Sequence, residues 1–250
     1  MWFWPLLERY QQRSEFRGAD FWDYLTLYEA VRRLKPREVL ECGTGLTTVS
    51  LAAALADNER DGSGPGRVTS MEDVDPWHDM AVRLFPDELR DHVDLVLSPR
   101  AEYTYAMFRG AGYADVPDRP YTFAWVDGPD PVLPSDGQKT FDFDFLNVVR
   151  RSDQPVWGLI DARNMTAFVF QKIFGTRKVR HDAVTGIVYL GPCLAADMEV
   201  FTDHSHAAEL RRSGSTTATW SVKGVSRRVG GFVPEGPLDG SGRRSSRYLP

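Results

Sequence analysis

Glu38-Val-Leu-Glu-Cys-Gly-Thr-Gly-Leu-Thr-Thr-Val-Ser-Leu-Ala-Ala-Ala-Leu55 holds a short apolar run, an acid, two glycines one residue apart and a row of good helix formers. That order spells a buried strand, a tight turn and a helix whose N-terminus faces a ligand. The two glycines have different jobs: one allows a turn that a Cβ would obstruct, the other lets a ligand come close to the backbone. The first N–H groups of the helix, around Leu46 to Thr48, have no intrahelical acceptor and favour an anionic group such as a carboxylate or phosphate. Glu41, at the strand end, is placed to accept hydrogen bonds from the same ligand. The third glycine of a dinucleotide loop would fall at position 48, which is Thr48. A ligand with a carboxylate and a nucleoside therefore suits this loop better than one with a pyrophosphate.

Around this motif, 250 residues with 42% hydrophobic content suffice for one α/β domain with a sizeable core. A net charge of −5 gives no overall nucleic-acid signature. The two cysteines, Cys42 and Cys193, lie far apart without metal-ligand spacing, which points to a reducing compartment, and a cytoplasmic location is expected. The opening Met1-Trp2-Phe3-Trp4-Pro5-Leu6-Leu7 lacks the basic region of a signal peptide. No run approaches the roughly 18 apolar residues of a membrane span.

Taken in order, residues 1–18 read as an N-terminal extension and 19–34 as an amphipathic helix, with Phe21, Leu25, Tyr28, Val31 and Leu34 at helical spacing. After the strand and helix of the opening motif, a polar glycine-rich loop over 57–66 leads to a second strand, Arg67 to Met71, which ends at Glu72-Asp73. Trp77 to Leu84 is expected as helix, Val93 to Leu97 as a third strand and Ala101 to Phe108 as helix. A fourth strand, Tyr121 to Val126, ends in Asp127-Gly-Pro-Asp-Pro131. Phe141, Phe145, Val148 and Val149 mark a helix, and Val156 to Ile160 is a fifth strand ending in Asp161. A short helix over about 166–174 precedes two late strands, Arg177 to His181 and Gly186 to Leu190. Strands alternating with helices predict a mostly parallel sheet with helices on both faces, a three-layer α/β domain over 19–202. Right-handed crossovers bring the strand C-terminal ends to one edge, where Glu41, Glu72, Asp127 and Asp161 collect. Residues 203–250 read as a basic, Gly/Ser/Arg-rich tail: 207–250 carry eight basic side chains against three acidic ones.

Glu-Cys-Gly-Thr-Gly at 41–45, Ser-Met-Glu at 70–72, Val-Asp-Gly-Pro at 126–129 and Ile-Asp at 160–161 together resemble the class I S-adenosylmethionine-dependent methyltransferases. The likeness is strongest to the small-molecule branch with the catechol O-methyltransferase-like, Rossmann-like fold, and it covers roughly 19–190. It implies a seven-stranded sheet with the last strand, about 186–190, antiparallel. By the same resemblance Glu41, Gly43, Thr44 and Gly45 would line the methionine part of the cofactor and Glu72 would take the ribose hydroxyls. The segment Ser98-Pro-Arg-Ala-Glu102 would sit by the adenine, with Ala101 and Glu102 as the candidates, although this chain lacks the family's glycine-acid pair there. Asp127 would lie beside the sulfonium and the acceptor. The implied reaction is methyl transfer to a small-molecule acceptor, with a hydroxyl oxygen as the expected site of attack and Asp127, then Asp161, as the candidate positioning group or base.

The metal-dependent branch of that family uses carboxylates at the fourth and fifth strand ends and an Asn adjoining the latter. Here Asp161-Ala-Arg-Asn164 displaces Asn164 and inserts an arginine. The resemblance makes S-adenosylmethionine the expected cofactor; a divalent ion held by oxygen ligands is the lesser expectation, because of that displacement. His204-Ser-His206 reads as a solvated pair. Asp127-Gly-Pro-Asp-Pro131 also resembles the Asp-x-x-Asp-Pro segment of spermidine synthase-like aminopropyltransferases, whose glycine-rich first loop and N-terminal β-domain are missing here. A nicotinamide dehydrogenase fits Thr48 poorly. A cofactor-binding module without catalysis, acting through its basic tail, is the reading from a different class.

Overall fold

The structure, a computed structural model, describes residues 1–16, 21–202, 218–222 and 225–229. Its centre is β1 (Glu38–Cys42), flanked in parallel by β2 (Arg67–Glu72) and β6 (Phe123–Val126). Outward on one side lies β3 (Val93–Leu97), parallel to β2. On the other side β7 (Val156–Asp161) is parallel to β6. The late strands β8 (Val179–His181) and β9 (Ile187–Cys193) complete a seven-stranded sheet in the order β3-β2-β1-β6-β7-β9-β8. Only β9 runs against the others, and it lies second from the edge, between β7 and β8. The expected three-layer α/β sheet of seven strands, the last antiparallel, is the observed one.

Strand alternation explains the layers, because successive side chains leave a strand on opposite faces. Val39, Val68, Phe123 and Trp125 meet α2 (Phe21–Leu34) and α3 (Leu46–Asn58) through Leu27, Val31, Leu51 and Leu55. α1 (Trp4–Arg13) adds Phe3, Leu7 and Tyr10 to the same buried cluster. Leu40, Cys42, Ala124 and Val126 face the other way. There they pack on α5 (Asp144–Arg151) and α6 (Asn164–Phe174) through Phe145, Val149, Phe170 and Phe174. The remaining helices are α4 (Asp75–Leu84), two residues longer at its start than expected, and α7 (Ala195–Thr202).

One expected element is wrong. Residues 101–108 are not helix: β4 (Arg100–Tyr105) and β5 (Phe108–Tyr113) form an antiparallel hairpin apart from the main sheet. Tyr103 and Tyr105 alternate with Glu102 and Thr104, a strand period with strand-favouring residue types. Tyr103 stacks on Phe143 with ring centroids 5.4 Å apart, so a contact 40 residues away completes what the local pattern began. Phe141 also lies outside its expected helix, which starts only at Asp144. Its carbonyl accepts the N–H of Ala111 at 3.0 Å, and the N–H of Phe143 goes to the Ala111 carbonyl at 2.7 Å, tying this stretch to β5. Most of the expected tail, with His204 and His206, lies outside the described residues. Within it, β10 (Ala218–Val222) pairs with β11 (Val225–Val229). Among the described residues no helix is long and apolar enough to cross a membrane.

Candidate active site

At the C-terminal ends of β1, β2 and β6 lies a cleft of about 510 Å³. Gly43, Thr44 and Gly45 form one wall, Glu72 and Asp73 a second, and Asp127 to Asp130 a third. The chain leaves β1 through Gly43 at φ 98°, a left-handed backbone that favours glycine. A Cβ on Gly43 would stand 3.0 Å from the backbone C and O of Asp127, so the turn and the end of β6 are in direct contact. Gly45 differs. Its backbone is extended and a Cβ there would meet nothing within 4 Å. At the N-terminus of α3 Thr48 Oγ1 accepts the Gly45 N–H at 3.1 Å, and Gly45 offers no side-chain acceptor to the first-turn residues Leu46 and Thr47, which line the cleft. This leaves backbone donors and a positive helix end for an anionic ligand group.

Glu41 is not in the cleft. Strand alternation sends it to the Val39 face, under α3, where it is fully buried. Thr47 Oγ1 and Thr48 Oγ1 donate to its two carboxylate oxygens, each at 2.6 Å. It therefore anchors the first turn of α3 from below. Burial raises its pKa to about 7, against the lowering by the hydroxyls of Ser70, Thr47 and Thr48. A carboxyl protonated in the folded chain and ionised in the unfolded one weakens the fold as pH rises from about 4.5 to about 7. The loss amounts to about 3 kcal/mol, at roughly 1.4 kcal/mol per pH unit. Glu41→Gln should remove that slope: urea unfolding from pH 5 to pH 8 should show the variant gaining on the wild type as pH rises. A constant difference across that range would mean that Glu41 is ionised in the folded protein.

Glu72 lines the cleft, and its Oε1 accepts the N–H groups of Asp73 at 2.9 Å and Val74 at 3.0 Å. Burial raises its pKa, and those two backbone donors oppose the shift. Thr44 Oγ1 and Ser70 Oγ, 2.8 Å apart, tie the turn to β2. Ala101 and Glu102 stay outside the cleft; Glu102 instead binds Arg109 at 2.8 Å and Ser135 at 2.5 Å. Their neighbour Arg100 enters it. Its Nε pairs with Asp73 at 2.9 Å and its Nη1 donates to the Asp130 carbonyl at 3.3 Å, spanning two walls. Trp77 and Phe16 stack at 5.4 Å over another side.

Asp127 is the residue on which the site turns. It lines this cleft and also a second pocket of about 540 Å³, bordered by Asp161, Asn164 and Met165. Its side chain is 38% exposed, open to both spaces. Burial of its surroundings raises its pKa, Arg163 lowers it and Asp161 raises it again. Asp161 borders only the second pocket. Arg163 lines the second pocket and reaches Asp142, whose carboxyl is fully buried and raised to about 6 by that burial. Among the described residues no group of three or more His, Cys, Asp or Glu is placed to hold a metal ion.

Several of these residues carried no signal in the chain. Asp142 and Arg163 are ordinary loop and helix-cap residues until folding brings them 2.6 Å apart. Trp77 was within reach of inference, since Asp75-Pro-Trp77 opens a helix just after an acidic strand end, and Arg100 lies in the 98–102 segment expected by the adenine.

No protein-family model matches this chain, and no curated protein matches it. Solved structures resemble it at low identity. A methyltransferase from Geobacter sulfurreducens is 16% identical over 75% of this chain and 88% of its own, with a TM-score of 0.47. An O-methyltransferase from Bacillus cereus in complex with SAH is 14% identical over 74% and 90%, with a TM-score of 0.45. The O-methyltransferase TomG from Streptomyces achromogenes, involved in tomaymycin synthesis and in complex with SAM, is 15% identical over 62% and 64%, with a TM-score of 0.40.

Proposed function

We propose that the cleft binds S-adenosylmethionine, that the adjoining pocket holds a small-molecule acceptor, and that the protein methylates an acceptor hydroxyl. The observation that carries this reading is Asp127, shared by both cavities at their common border. The activity is assigned to residues 19–202, with 203–250 as a basic tail. A cytoplasmic location fits two cysteines that are both free and buried.

The walls fit the cofactor. The open space at Gly45 and the uncapped start of α3 suit the carboxylate of a methionine moiety. Glu72 suits a ribose diol, because a carboxylate keeps acceptor capacity beyond its two backbone donors. Bound there, the cofactor supplies a methyl group on a cationic sulfonium leaving group. The chain's own task is then alignment and, for a hydroxyl, removal of a proton. A carboxylate at its usual pKa near 4 is a poor base; the burial that raises Asp127 improves it. Asp161, across the second pocket, borders the acceptor rather than the cofactor.

Thermal shift and calorimetry with S-adenosylmethionine, S-adenosylhomocysteine, the decarboxylated cofactor and NAD test the assignment. The first two should stabilise the fold and the last two should not; no response to any of them would remove the cofactor assignment. Asp127→Asn should keep cofactor affinity within about threefold. Release of S-adenosylhomocysteine with an active acceptor should fall roughly 100-fold or more. Unchanged turnover would make Asp127 a turn residue only.

A further inference from the structure

We propose that Arg163 is a positioning residue: a cation built into the chain that holds Asp127 and the following backbone at the border of cleft and pocket, in an oxygen cage that could otherwise suit a divalent ion. Four oxygen atoms surround its guanidinium. Nη1 donates to Asp142 Oδ1 at 2.6 Å and to the Pro129 carbonyl at 2.8 Å. Nη2 donates to the Asp127 carbonyl and lies 3.4 Å from Asp127 Oδ1. Two carboxylates and two carbonyls are the donor chemistry of a hard cation, and here the fork of one side chain takes all four.

Local structure aims the side chain. Ala162, just past the end of β7, has φ 35°, left-handed for a residue with a Cβ, and the chain turns there into α6. Arg163 follows as the residue before that helix and reaches back under the 127–129 segment. Asp142 is held in turn by Thr166, whose Oγ1 donates to its Oδ2 at 2.5 Å, so the cage is fixed from β7, from α6 and from the 141–143 segment. Asp142 is fully buried and Arg163 only 21% exposed, so neither charge is stable there without the other. The 127–129 segment is in turn packed on the Gly43 turn, where a Cβ on Gly128 would come within 2.7 Å of Gly43 Cα. Arg163 therefore sets the position of the third cleft wall from the adjoining pocket, without lining the cleft itself. The inference rests on the proposed function only for what that wall serves.

The full chain with Arg163→Met or Arg163→Lys tests it by two readouts. The amide resonances of Asp127 and Gly128 report the segment itself and need no cofactor. In Arg163→Met they should shift or broaden, and guanidinium ion added at millimolar levels should restore them. Calorimetry with S-adenosylhomocysteine should show affinity down about tenfold in Arg163→Met, recovering with guanidinium, and down less in Arg163→Lys, which keeps the charge but not the fork. Should Arg163→Met fail to fold, the Lys variant decides alone: a moderate shift of the two resonances supports the role. Resonances and affinity unchanged in a folded variant would overturn it, as would magnesium moving the wild-type resonances while EDTA reverses the change. Wild-type protein that does not bind S-adenosylhomocysteine at all would defeat the cofactor assignment but leave the resonance test standing.

Discussion

Gly45→Val is expected to fold like the wild type and to lose at least about 100-fold in affinity for S-adenosylhomocysteine, a change of roughly 3 kcal/mol in binding. The reasoning separates backbone from ligand. Gly45 has φ −175°, extended backbone that any residue adopts, and its Cβ would meet no protein atom within 4 Å. The fold therefore makes no demand for glycine here, apart from the modest preference of the residue preceding a helix, worth under about 1 kcal/mol. The empty volume faces the cleft at the foot of α3, where a ligand carboxylate would need to reach the first backbone N–H groups. A branched side chain there occupies ligand space. Calorimetry and a melting curve on the same preparation check both halves, and normal affinity in the folded variant would show that nothing binds against that turn.

Two residues earlier, Gly43→Ala should do the opposite kind of damage. At φ 98° a side chain is strained by about 1–3 kcal/mol. Its Cβ would also sit 3.0 Å from the Asp127 carbonyl carbon and oxygen and 3.1 Å from the Gly128 nitrogen, where overpacking adds roughly 1–3 kcal/mol. These atoms are backbone and cannot swing aside as a side-chain tip would. We expect a loss of about 3 kcal/mol or more in urea unfolding with an unchanged m-value, together with weakened cofactor binding because the Asp127 wall moves. Stability equal to wild type would mean that the β1 turn and the end of β6 are not in contact. On these expectations the pair Gly43 and Gly45 divides one short motif into a residue the fold needs and a residue that the proposed ligand would need.

How much of this was legible varies with the kind of contact involved. The strands of the main sheet could be read because each is a short apolar run closed by turn residues, as at Val93–Leu97 and Val156–Asp161. Their shared rim followed from the handedness of the crossovers, so Glu72 and Asp127 could be placed together in advance. Glu41 sits one alternation out of place because its run offered two faces. Burial under α3 won, since Thr47 and Thr48 offered both its oxygens a donor. The hairpin at 100–113 was misread because its second strand carries Gly110 and Gly112, which look like breakers. They are required because side chains there would strike Phe141 and Asp144.

The amino-acid order alone determined the alternation of strands and helices, the Gly-Thr-Gly bend and which acids end the strands, because hydrophobic period and turn chemistry are local properties. Tertiary structure alone decided that Asp127 borders two cavities and that Arg163 meets Asp142 and the 127–129 backbone. The Arg163 contacts join residues 21 to 36 positions apart, through side chains whose length and charge have no meaning until the sheet brings their strand ends together.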